Sequence, residues 1–108
     1  YGYPVLDNWP VPAQLVRDTA RKVLGDERLV SQVVPDLTAE DFGFYLQEIP
    51  GAFLWLGCGT EGEPIHGLHD ARMCPNENAL VVGSKLMSQV VIDALAALEQ
   101  GADFSKRE

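Results

Sequence analysis

The sequence predicts an α/β layer fold, and three observations predict it. Two stretches carry apolar residues at helical spacing, one near each end of the chain. Two short runs between them are β-branched or wholly apolar, as strands are. The resulting order is helix, strand, short helix, strand, loop, helix, which a small sheet covered by helices would satisfy.

Each element has its own justification. Tyr1 to Pro10 mixes aromatics with Pro and Asn and reads as an extended lead-in. Pro12 suits the first turn of a helix, where its missing N–H goes unused. Leu15, Val16, Ala20, Val23 and Leu24 then recur on one helical face, with Arg17, Asp18, Arg21 and Lys22 on the other. Gly25 ends that helix. Arg28 to Val34 is β-branched and stops at Pro35, so it is expected to be a strand. Thr38 is expected to cap a short helix whose first turn holds Ala39, Glu40 and Asp41, with Phe42, Tyr45 and Leu46 on its apolar side. Ile49-Pro50-Gly51 is a turn by composition. Ala52 to Leu56 is wholly apolar, the pattern of a strand covered on both faces, with Trp55 in the core. Gly57 to Pro75 is irregular and holds both histidines and both cysteines. The last helix carries Leu86, Met87, Val90, Val91, Ala94, Leu95 and Leu98 as a stripe, and Gly101 lies just beyond its end.

Composition narrows the function. The chain has 108 residues, 46% hydrophobic and 22% charged, a globular balance for at most one domain. Its formal net charge is −8, without a Lys/Arg cluster, which disfavours nucleic acid and anionic lipid as partners. No uninterrupted apolar run reaches membrane-spanning length, so no membrane role is expected. Two cysteines are too few for a disulfide scaffold, which makes the cytoplasm the default compartment. Two strands make a poor sheet, so the chain is expected either to self-associate through strand edges or to be a piece of something larger. The start at Tyr1-Gly2-Tyr3-Pro4, without Met or a signal-peptide pattern, points the same way.

The chemistry-bearing residues cluster in the loop His66-Gly67-Leu68-His69-Asp70-Ala71-Arg72. Neutral imidazole binds divalent ions such as Zn²⁺, Mn²⁺ or Ni²⁺, and an adjacent carboxylate can orient it. A surface or hydrogen-bonded histidine is the commoner case. Cys58, His66, His69 and Cys74 also have the ligand types of a Cys₂His₂ zinc site, but lack the short paired spacing that pre-forms one. Glu40 and Asp41 could receive a substrate amine or orient a ligand, or could simply complement a helix N-terminus.

Four blocks in order carry a resemblance: Ala39-Glu40-Asp41-Phe42, then Pro50-Gly51-Ala52-Phe53, then Leu68-His69-Asp70-Ala71, then Asn76-Glu77-Asn78-Ala79-Leu80. Together they resemble the C-terminal segment of the aminoacylase, carboxypeptidase and auxin-conjugate hydrolase group of binuclear metal-dependent amidohydrolases. The resemblance implies a zinc-peptidase-like catalytic domain with a mixed sheet, of which residues 9–108 are the C-terminal segment. Residues 1–8 would be the tail of the connection from a lid domain. It implies that His69 is the last ligand of a Zn, Mn, Ni or Co site, and that Glu40 and Asp41 line the active-site region. It further implies an N-acyl amino acid or small peptide as substrate. Ala71 stands where that group usually has Pro, and Cys74 where Asp is common, which loosens the loop around His69. The other ligands and the general base would lie outside this chain. One imidazole holds a divalent ion weakly, so the chain alone is expected to be inactive, with metal held weakly or not at all. The expected partners are therefore a complementing N-terminal half or further copies of the chain. The rival reading is a non-catalytic module that oligomerises or binds a partner.

Overall fold

The computed structural model describes residues 2–30, 34, 35 and 37–107, and within them the fold is helical. Helix α1 spans Pro10–Leu24, a 3₁₀ turn spans Asp26–Arg28, α2 spans Phe42–Glu48 and α3 spans Asn78–Glu99. Every other described residue lies in a turn, a bend or irregular chain, and none is in a strand.

α1 forms as its sequence dictates. Pro10 and Pro12 sit in its first turn, and Gly25 follows its last residue at φ 91° and ψ 153°, a conformation that essentially only glycine adopts. Ala20 is buried, and Leu15, Val16, Val23 and Leu24 are half-buried, while Arg17, Asp18, Arg21 and Lys22 face solvent. α3 ends in a Schellman cap: Ala102 N–H donates to Ala97 O, Gly101 N–H donates to Leu98 O, and Gly101 has φ 86°.

The α1–α3 pair is the one helix–helix contact of substance among the described residues. Its apolar centre is Ala20 against the side of α3 that carries Leu86, which is 4% exposed. Beside it lies a polar clasp. Thr19 Oγ1, on a residue only 2% exposed, donates to Asp93 Oδ2 at 2.8 Å. Gln89 Nε2 and Lys22 Nζ donate to Asp93 Oδ1 at 2.8 and 3.1 Å, so the carboxylate is fully partnered where it meets α1. These hydrogen bonds hold the Asp93 carboxyl below the usual carboxylate range, Gln89 contributing most, then Thr19 and Lys22.

The expected α/β architecture is corrected on three points. Arg28 closes the 3₁₀ turn, Val30 and Val34 are exposed, and neither Leu29, Val30 nor Val34 is in a strand; residues 31–33 of that expected strand lie outside the described residues. Ala52–Leu56 is in no strand, and Trp55 is 52% exposed rather than in the core. α2 begins at Phe42 with Asp41 at its N-cap, three residues later than Thr38 would start it. The reason is common to the first two. A strand is stable only with a neighbouring strand to take its N–H and C=O groups, and among the described residues neither run is in a strand. In its stead the Asn8 side chain acts as a one-residue partner. Its Nδ2 donates to Phe53 O at 2.9 Å, and its Oδ1 accepts from Phe53 N–H at 2.7 Å. Trp9 N–H donates to Gly51 O and Trp9 Nε1 donates to Leu46 O, which completes the seam between the lead-in, α2 and the apolar run. Phe42, Phe53 and Trp55 continue it as tilted and edge-on rings.

By length and composition α3 is also apolar enough to cross a membrane, with a best-window mean hydropathy of 1.5. Averaging over the helix shows this where no uninterrupted apolar run does.

Candidate active-site segment: the histidine loop and the acidic turn

The histidine loop is built as a series of tight turns. Glu63 N–H donates to Thr60 O across a turn in which Gly62 has φ 81°. Asp70 N–H donates to Gly67 O, which places His69 third in a four-residue turn at φ 69°. His69 is the one non-glycine residue with positive φ among the described residues, and the third position of a type II turn demands such a φ. Left-handed backbone costs an L-residue about 1–2 kcal/mol relative to glycine. The imidazole is thereby carried on an exposed corner of the loop.

Asp70 does not face His69 as a ligand-orienting carboxylate would. Its Oδ1 accepts from Arg72 N–H at 2.9 Å and from Arg72 Nε at 3.0 Å, and its Oδ2 accepts from an Arg72 terminal nitrogen at 2.8 Å. This fork lowers the Asp70 carboxyl from its ordinary range, chiefly through the Arg72 side chain, and raises the guanidinium in turn. His66 Nδ1 stands 3.6 Å from Asp70 Oδ2, beyond hydrogen-bond reach, and forms an ion pair with it only when protonated. The Asp-x-Arg spacing in a turn is a sequence signal for this fork, since a short acidic side chain bonds backbone two residues on.

Asn76 fastens the loop to α3. Its backbone N–H donates to Cys58 O at 2.7 Å, its Nδ2 donates to Thr60 Oγ1 at 3.2 Å, and its Oδ1 accepts from Asn78 N–H at the start of the helix. Between these anchors lies a cavity of about 230 Å³ lined by Cys58, Glu63, His66, Arg72 and Cys74 among others.

The acidic pair lies elsewhere. Glu40 Oε1 accepts from Phe42 N–H at 3.2 Å, supporting the start of α2. Glu40 also lines a second cavity, of about 720 Å³, between the lead-in and residues Phe53 and Trp55. Asp41 is exposed, and its backbone O accepts from Phe44 N–H. Glu40 and the cavity-lining residues of the histidine loop thus face two different cavities, and His69 lines neither.

A resident metal does not fit these residues alone. Among the described residues no three His, Cys, Asp or Glu side chains converge to hold an ion. The self-contained Cys₂His₂ site is thereby corrected: Cys58, His66 and Cys74 share a cavity, but His69 is outside it. Asp70 is committed to Arg72.

Comparison with known proteins places these residues in a family. The model of peptidase family M20/M25/M40 matches residues 1–93. An N-acetyldiaminopimelate deacetylase of Leuconostoc citreum is 36% identical over 99 residues, covering 92% of this chain and 24% of the relative. Proteins of the same name from Halalkalibacterium halodurans and Brevibacillus brevis are 54% and 45% identical over 44 and 53 residues. Those stretches cover 41% and 49% of this chain, and 11% and 13% of the relatives. The chain thus spans about a quarter or less of the curated relatives it matches. No solved structure matches it. Enzymes of this type bind divalent metals, and the matched region extends through the acidic turn, the histidine loop and most of α3. The chain belongs to the M20/M25/M40 family of peptidases and amidohydrolases.

Proposed function

We propose that this chain serves as the C-terminal segment of an amidohydrolase that splits the amide bond of an N-acyl amino acid, an N-acetylated diamino acid first among the candidates. In that reaction water is added across the amide, releasing a carboxylate and an amine. The observation that carries the reading is the 36% identity to an N-acetyldiaminopimelate deacetylase across 92% of the chain. Residues 9–108 would belong to the catalytic domain, and residues 1–8 to the connection from a lid. His69 would supply one ligand of a divalent metal site completed by donors outside the chain. Its exposed corner and its departure from relaxed backbone geometry support that role, since strain is retained where a side chain must be presented. Glu40 and Asp41 would line the neighbouring region.

The test is a chimera in which this chain replaces the matched stretch of the Leuconostoc citreum relative. Release of acetate from N-acetyldiaminopimelate, and a lower bound-metal content in the His69→Ala chimera, are the expected results. Acetate release that survives His69→Ala with metal content unchanged would remove His69 from the site. A chimera that keeps its fold by circular dichroism yet releases no acetate would overturn the functional assignment.

A second reading has its own observation. Met87, Val91, Leu95 and Leu98 form an exposed apolar face on α3, away from α1. That face suits an interaction module whose partner is a complementing half or another copy of the chain.

A further inference from the structure

We propose that Cys58 and Cys74 form a reversible intrachain disulfide when the chain meets a low-molecular-weight disulfide of the glutathione class. This inference stands apart from the functional reading, because it rests on the loop alone. Both thiols are free, and both line the same cavity of about 230 Å³. Asn76, two residues beyond Cys74, is hydrogen-bonded to the Cys58 carbonyl, so side-chain rotation with a shift of the intervening backbone is what brings the two cysteines to bonding distance. The base of the loop is held for the purpose. The hydrogen bond from Asn76 N–H to Cys58 O and that from Asn76 Nδ2 to Thr60 Oγ1 keep the chain beside Cys58 and the chain beside Cys74 together.

Accessibility sets the order of events. Cys74 is exposed and Cys58 is half-buried. The Cys74 sulfur attacks the reagent's S–S bond, forming a mixed disulfide and expelling one small thiol, which carries off the Cys74 proton. The Cys58 sulfur then attacks the Cys74 sulfur, closing the protein disulfide and expelling the second small thiol with the Cys58 proton. Two protein thiols are oxidised and one reagent disulfide is reduced, so atoms and electrons balance. The product ties off the loop that carries His66, His69 and Asp70.

Arg72 makes the product easy to read, because trypsin cuts between the two cysteines. Without a bridge, Cys58 and Cys74 leave in separate peptides, residues 29–72 and 73–85. The experiment treats the 108-residue chain with oxidised glutathione, blocks remaining thiols, and digests without reductant. The expected result is loss of both thiols, a mass lower by two hydrogen atoms, and the two peptides joined within one chain. Cys58→Ser is expected to stop at the Cys74–glutathione adduct, which the wild type passes through. Two glutathione adducts per chain, linkage only between chains, or two thiols left unreacted would each overturn the proposal.

Discussion

At the scale of single residues, His69 and Thr19 carry the clearest consequences. Replacing His69 by glycine relieves the left-handed backbone, so His69→Gly is expected to stabilise the chain by about 1 kcal/mol in chemical denaturation. Glycine's greater freedom in the unfolded chain offsets part of the gain. An unchanged or lowered midpoint would mean that the turn relaxes without help. Thr19→Val removes a hydrogen bond to a carboxylate, with an expected loss of roughly 1–2 kcal/mol. That penalty should depend on pH. The folded-state Asp93 carboxyl titrates below its unfolded counterpart, whose ordinary value is near 3.9. The stabilisation from ionised Asp93 is therefore complete above about pH 4 and is lost as pH falls through the lowered folded value. Denaturation of wild type and Thr19→Val should converge at low pH, and parallel curves would refute the clasp.

Among elements, the histidine loop and both long helices were legible in advance, whereas the strands were not. Helix ends are encoded within a few residues, and Pro10, Pro12, Gly25 and Gly101 act where their backbone chemistry says they should. Val30 and Ala52–Leu56 have strand-like side chains, but side chains do not supply a neighbour's N–H and C=O. Asn8 fills that need at a single point, so Asn8→Ala is expected to detach the apolar run. Faster amide exchange at Phe53 and at Trp9, whose N–H is bonded to Gly51 O, is the measurement. Protection unchanged at both would show that the aromatic ring contacts alone hold the run. Gly43 is a second sensitive point in the same seam. A Cβ there would lie 3.1 Å from Pro4 O, a backbone atom, so Gly43→Ala is expected to push the lead-in off α2 despite the better helix propensity of alanine.

For the whole molecule, exposed area is the governing quantity. The surface is 8605 Å², against about 5900 Å² expected of a monomeric protein of 11.8 kDa. The radius of gyration is 15.4 Å, where about 13 Å would serve a domain of this length. The excess area is larger than a standard protein–protein interface buries in total, about 1,600 Å². Strand edges, the expected route to association, are absent among the described residues, and the apolar face of α3 takes their place. The chain is expected to sediment above its monomer mass, and Leu95→Lys should return it toward monomer. A wild type that stays monomeric at high concentration would show that this face needs a different partner.

Sequence alone determined what depends on near neighbours: the reach of α1, the far end of α3, the irregular loop between them, and the ordered blocks that mark the family. Periodicity, capping and turn chemistry act over a few residues, so they can be read without knowing what lies across the fold. Tertiary structure alone decided whether an apolar run becomes a strand, which side of α3 is buried, and that the Asn8 side chain serves Phe53. Those outcomes depend on which distant groups arrive to accept a hydrogen bond or cover a face, and the residues involved carry no local mark of it.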